Sequence, residues 1–162
     1  MKKRAPIFFI SGIVQGSLKG DRIHDQKYRE KIKALIRARY PHCHIIDPIE
    51  LNPGSLYYGD RKARKTFFEI LSSASRADVV ISYLPKASMG SALEMYQARR
   101  RGRVVVAISP LEKNWVVRYL SNHICHGIRD FASFLAGGGL DRFIKGRQKW
   151  RVPDPNMRKS GR

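Results

Sequence analysis

Glu94 is the side chain best placed for covalent chemistry. It closes the stretch Pro85-Lys86-Ala87-Ser88-Met89-Gly90-Ser91-Ala92-Leu93-Glu94, in which a turn joins an apolar run to a helical pattern. Backbone N–H groups at such a junction, with the helix dipole behind them, favour an anion. Ser88 and Ser91 add hydroxyls, and Gly90, lacking a Cβ, lets a phosphate approach the backbone. A glutamate near a helix start can serve the dipole alone. It can also act as nucleophile or base, with a second carboxyl group as general acid. Glycosidic cleavage suits that second use, because the sugar turns cation-like and a carboxylate can stabilise or capture it. Spacing alone divides the two readings evenly.

Other reactive side chains lack the pattern their chemistry needs. His42-Cys43-His44 and His123-Ile124-Cys125-His126 match no common zinc spacing, and the first triplet sits where strand neighbours point to opposite faces. No metal is expected. Ser11 and Ser17 lack a G-x-S-x-G context. Gly12, Gly16 and Gly20 fit neither a Walker A loop nor the dinucleotide fingerprint.

The elements that must position Glu94 follow from apolar periodicity. Ile7-Phe8-Phe9-Ile10 reads as a buried strand closing at Ser11-Gly12, followed by a loop with Gln15, Gly16 and Gly20. Tyr28, Ile32, Leu35 and Ile36 predict a helix over 25–40, with Asp25 as its cap and Pro41 as its stop. His44-Ile45-Ile46-Asp47-Pro48 reads as a second strand, followed by a Pro-, Gly- and Asn-rich loop and a helix over 64–76. The run from Ala77 to Leu84 is almost continuously apolar, as a parallel strand covered on both faces must be. A helix over 92–101, the strand Val104-Val105-Val106-Ala107-Ile108, and helices over 115–120 and 128–135 complete the order.

This alternation predicts an α/β fold, a doubly wound, Rossmann-like parallel sheet with helices on both faces. Such sheets bind ligands at the carboxyl ends of their strands, where the loops 12–20 and 85–90 fall. One domain is expected over 1–140. Gly137-Gly138-Gly139 marks a break, and 141–162 reads as a basic C-terminal extension, disordered or dependent on a partner.

Thirty-two Lys and Arg against thirteen Asp and Glu give a net charge of +19 and a pI near 10.5. Such a field draws nucleotides, nucleic acid or acidic head groups, though a solvated surface or a basic host proteome gives the same count. Arg99-Arg100-Arg101-Gly102-Arg103 and the tail from Lys145 offer phosphate contacts, and Trp150 offers a stacking surface for a base. Two cysteines, Cys43 and Cys125, are too few for a disulfide framework. No run is long and apolar enough to cross a membrane, and the apolar stretch after the basic N-terminus is too short for a secretory signal. The cytoplasm is the expected compartment.

Ala77-Asp78-Val79-Val80-Ile81 followed by Ser88-Met89-Gly90-Ser91-Ala92-Leu93-Glu94-Met95 resembles the signature of the nucleoside 2-deoxyribosyltransferase family. It is most similar to the branch of 2′-deoxynucleoside 5′-phosphate N-hydrolases. Phe8-Phe9-Ile10-Ser11-Gly12, Asp25-Gln26-x-Tyr28 and Ser121-Asn122 resemble the family in the same order, so the likeness spans 7–135. The resemblance implies an N-glycosidase, or a base-exchanging transferase, of nucleotide metabolism with Glu94 as nucleophile and no metal or organic cofactor. It implies substrate contacts from Ser11, Gly12, Gln15, Gly16, Ser88 and Gly90. It further implies a homodimer in which Ser121 and Asn122 reach the neighbouring subunit's site.

Four departures sharpen that expectation. Nucleoside-specific members carry an acid at the place of Ser88, and a hydroxyl there suits a phosphate that a carboxylate would repel. A nucleoside 5′-monophosphate is therefore expected over a nucleoside. Gln15 stands where the hydrolase branch has a phosphate-binding Arg, with Lys19 or Arg22 as substitutes. Phe9 stands where that branch has a Tyr, which leaves ribose against deoxyribose open. Glu69 becomes the candidate second acid after a one-residue shift, while Asp78 reads as a strand-start residue. The rivals are a non-catalytic nucleotide- or nucleic-acid-binding module and a silent nucleotide sensor with an incomplete acid pair.

Overall fold

The computed structural model describes residues 4–146. Five strands form one parallel sheet: β1 (Ile7–Gly12), β2 (His44–Ile46), β3 (Val79–Tyr83), β4 (Val104–Ile108) and β5 (His123–Cys125), in the order β2-β1-β3-β4-β5. The helices are α1 (Tyr28–Arg39), α2 (Pro48–Leu51), α3 (Asp60–Arg76), α4 (Met89–Arg100), α5 (Trp115–Leu120), α6 (Ile128–Ala136) and α7 (Gly139–Lys145). The expected α/β architecture is present. The strand order reverses between β1 and β3, and such a switch point opens a crevice at the carboxyl ends.

Residue alternation along the strands builds two cores. Phe8, Ile10, Val79, Ile81, Val104 and Val106 face α1, α6 and α7, meeting Ile32, Ile36, Phe131, Leu135 and Leu140. Phe9, Val80, Val105 and Ala107 face α3, α4 and α5, meeting Ala74, Met95, Ala98 and Val117. Each fully buried Ile, Val or Phe contributes roughly 1.5–3 kcal/mol by leaving water. Because β1, β3 and β4 are covered on both faces, their sequences are almost wholly apolar, with Ser11 and Ser82 the buried polar exceptions.

Several boundaries differ from those expected. Asp25 does not cap α1; its Oδ1 accepts the Lys27 N–H at 2.9 Å, and the helix starts at Tyr28. Helix α3 begins at Asp60, four residues early, and α4 begins at Met89 with Ser88 as its cap. The segment His123–Cys125 is a strand, and it pairs with β4 from Val106 to Ile108. His123 stacks on Phe134 at 4.0 Å between ring centroids, and Cys125 is buried. The glycine run does not end the packed body. Leu140 of α7 is fully buried, and Asp141 receives the Tyr40 hydroxyl at 2.7 Å and pairs with Arg39. Packing thus continues past the boundary expected at 140. The rest of the basic extension, with Trp150, lies outside the described residues. Among the described residues no helix is long and apolar enough to cross a membrane.

Candidate active site

The site lies where β1 and β3 end side by side. Their register pairs Ser11 with Ser82 and Gly12 with Tyr83. Beyond β3, Ser88 adopts extended backbone and caps α4, its Oγ accepting the Ser91 N–H at 3.4 Å and the Ser91 hydroxyl at 3.1 Å. Glu94 follows in the second turn of α4, which packs across β1 and β3. The helix thereby brings the carboxylate over the end of β1. There the Ser11 hydroxyl donates to Glu94 Oε2, and Ser82 Oγ stands 3.4 Å behind Ser11 Oγ.

A cavity of about 220 Å³ opens above this pair. Of the residues singled out in sequence, Gly12, Gln15, Gly16, Ser88, Gly90 and Glu94 all line it, with Val14, Met89 and Ser91 filling the gaps. Burial pushes the Glu94 carboxyl up to about 7, against smaller downward pulls from the Ser11 hydrogen bond and the Arg29 charge. Near neutrality the group can therefore be carboxylate or acid, the range useful to a nucleophile or a general base. A larger cavity of about 420 Å³ adjoins the first across Gly16, Ser88 and Met89, with apolar walls from Leu84, Leu111 and Val117.

Two glycines shape the first loop. A Cβ on Gly12 would stand 2.2 Å from the Tyr28 hydroxyl. Gly16 has φ +56, and a Cβ there would strike the Ile13 side chain at 2.6 Å. Gln15 Nε2 donates to the Gly20 carbonyl at 2.9 Å, bracing the loop across its own turn. At Gly90 a Cβ would meet no atom within 4 Å beyond its chain neighbours and its own helix backbone, so packing does not demand glycine there.

Three expected residues stand elsewhere in the chain. Glu69 lies on α3 with its side chain 62% exposed, 3.7 Å from Lys65 Nζ, and does not line the Glu94 cavity. The helical phase of α3 turns it to solvent. Among the described residues lining that cavity, Glu94 is the one acid. Ser121 and Asn122 precede β5, at the amino end of the sheet. Asn122 Oδ1 accepts from Arg99 Nη1 at 3.0 Å and the Val105 N–H at 2.8 Å, fastening α4 to β4. Neither residue lines the Glu94 cavity of its own chain. Asp78 sits at the opening of β3 as expected, accepting from Arg4 at 2.8 Å and the Ile7 N–H at 2.8 Å. Sequence reasoning missed Ser82 and Arg29. Nothing local marks them, since their link to Glu94 exists only once β1, β3 and α1 are assembled.

No protein-family profile matches the chain, and no curated protein matches it in sequence. Solved structures do. The 2-deoxyribosyltransferase of Bacillus psychrosaccharolyticus superposes with a TM-score of 0.58 at 15% identity, over 78% of this chain and 90% of that one. A conserved protein of Enterococcus faecalis V583 superposes with a TM-score of 0.57 at 16% identity, over 83% and 99%. These likenesses establish the fold. A CMP N-glycosidase of Clostridium botulinum fits less closely, with a TM-score of 0.47 at 13% identity over 80% and 98%.

Proposed function

We propose that this chain is an N-glycosidase that cleaves the base–sugar bond of a nucleoside 5′-monophosphate, or exchanges the base, through Glu94. The observation that carries the reading is a carboxylate at the floor of a cavity whose rim is the amino end of α4. The phosphate sits at Ser88 and Gly90, where the helix start presents N–H groups and positive dipole. An uncovered Gly90 suits that contact. The first loop, from Gly12 to Gly16, closes over the sugar.

Ionised Glu94 then faces C1′. As the base leaves with the bonding electron pair, the carboxylate stabilises the cation-like sugar or bonds to it. Ser11 holds the attacking carboxylate in one orientation. Water completes the reaction by attacking C1′ and yields the sugar phosphate; an incoming base makes it a transfer. Glu69 of the same chain faces solvent and does not line the Glu94 cavity, so the proton for the leaving base comes from solvent or from a second copy.

A homodimer belongs to the same proposal. Met89 is 83% exposed and Trp115 77%, and Leu93, Tyr96 and Tyr119 extend this apolar surface over α4 and α5 beside the site. A second copy covering that surface would bring its Ser121 towards the neighbour's phosphate position.

The test is chromatography of a panel of nucleoside 5′-monophosphates for released base. Native protein should release base from at least one, and Glu94→Ala should abolish release while nucleotide still binds. A panel of nucleotides and nucleosides with no release or exchange ends the reading. One observation favours a rival, a nucleotide sensor: the cavity holds a single acid. A sensor would bind nucleotide tightly without turnover. A nucleic-acid module would instead retard DNA or RNA in a gel, indifferent to Glu94 and sensitive to truncation after Lys145.

A further inference from the structure

The sequence contains a cation that the proposed chemistry does not use. Arg29, on the first turn of α1, is almost wholly buried beneath the end of β1. A buried guanidinium is costly unless each of its donors finds a partner. Its Nη1 donates to Asp47 Oδ1 at 2.8 Å and to the Ile10 carbonyl at 3.1 Å. Its Nε donates to Gln26 Oε1 at 2.8 Å. Gln26 in turn donates through Nε2 to the Ile13 carbonyl at 3.0 Å and to the His24 carbonyl at 2.8 Å.

These bonds bracket Ser11. One reaches the residue before it directly, and the other reaches Ile13, where the cavity-lining loop begins, through Gln26. The same guanidinium lies close enough to Glu94 for its charge to favour the carboxylate form. We infer that Arg29 is a positioning residue for Glu94: it fixes the Ser11–Ile13 segment, and with it the hydroxyl that holds the carboxylate. The inference rests on the glycosidase reading for its consequence in catalysis, and on the hydrogen bonds through Ile10, Gln26 and Ile13 for the placing of Ser11 beneath Glu94.

The surrounding charges decide how the effect is read. Asp47 faces Arg29 from the start of α2 and also stands 3.6 Å from Lys33 Nζ. Lys33 is held by Glu30 at 2.6 Å and Glu50 at 3.0 Å. Tyr28 lies against the guanidinium, 5.3 Å from ring centroid to Cζ, and is raised to about 12, so it stays neutral. Glu94 faces the cluster from α4, with Ser11 its hydrogen-bond donor. Removing Arg29 should therefore raise the titration midpoint of Glu94, and removing the Asp47 charge should lower it.

The experiment follows the Glu94 carboxyl carbon by NMR in protein labelled at glutamate, in native protein, Arg29→Gln, Arg29→Lys and Asp47→Asn. Arg29→Gln should move the midpoint up by about one pH unit, Arg29→Lys should restore most of it, and Asp47→Asn should move it down. Gln26→Leu keeps the cation but removes both its Nε partner and the link to the loop, so it should move the midpoint far less than Arg29→Gln and raise KM at least about threefold. Base release by Arg29→Gln at pH 7 should fall about fivefold with its acid limb displaced in step. A loss of thermal stability with an unmoved Glu94 midpoint in both Arg29→Gln and Asp47→Asn overturns the inference. If Arg29→Gln does not fold, Asp47→Asn and Gln26→Leu carry the decision. If no variant or native protein releases base, the glycosidase reading fails while the titration still decides the role of Arg29.

Discussion

The hydroxyl of Ser11, at the end of β1, donates to the Glu94 carboxylate, in the second turn of α4. Strand and helix are 83 residues apart in sequence at this bond, and sheet assembly alone joins them. The family resemblance assigns Ser11 to the substrate. In the structure its hydroxyl is engaged by Glu94, the proposed nucleophile.

Replacing Ser11 by Ala should therefore act through Glu94. A hydrogen bond to a charged group contributes about 1.5–3 kcal/mol, which corresponds to roughly a 10- to 100-fold loss in kcat. The bond favours the carboxylate, so its loss should also push the acid limb of the pH profile above its native position. A Ser11→Ala protein with native kcat and an unshifted limb would show that the bond has no catalytic role.

Glu94 should make the native protein less stable as pH rises. Its folded value, about 7, lies above the ordinary 4.5, so the folded state binds the proton more tightly. Stability is then greatest below about 4.5 and falls until pH passes about 7. Glu94→Gln removes this loss and should stabilise the protein by about 1–3 kcal/mol at pH 8, with little gain near pH 5. Base release should fall at least about a thousandfold. Denaturant melts at the two pH values measure the first effect, and a gain equal at both contradicts it.

Ser88→Asp should exchange one substrate class for another. A carboxylate at the cap of α4 repels a 5′-phosphate and can accept a hydrogen bond from a free 5′-hydroxyl. The ratio of kcat/KM for monophosphate over nucleoside should drop at least about a hundredfold. An unchanged ratio would place the phosphate elsewhere.

Gly12→Ala should destabilise by about 1–3 kcal/mol, since the new methyl meets the Tyr28 hydroxyl at 2.2 Å. Tyr28→Phe deletes that oxygen, so the double variant should recover part of the loss. Strict additivity in a double-mutant cycle would place the strain somewhere other than this contact.

The sequence was most legible where one element carries its own signal. The two-sided burial of β1, β3 and β4 shows directly as near-continuous apolar runs, and the turn before α4 shows Ser88, Gly90 and Glu94 within one helix start. Strand β5 did not show, because three residues, two of them only half-buried, leave no periodicity to read. Helix α7 was hidden behind three glycines, although Gly138 and Gly139 in fact turn the chain back onto α1 and α6. Glu69 was chosen by distance along the chain, and one position on a helix rotates a side chain by about 100°. Arg29 and Ser82 matter only through contacts across the sheet, which no local pattern encodes.

The sheet ends at β2 on one side and β5 on the other, each only three residues long. A rim that short exposes few free backbone donors and acceptors, so it offers a poor template for a strand from another molecule. Folded copies of this chain should therefore resist ladder-like growth into fibres, and whatever contacts they make must run through helices and loops.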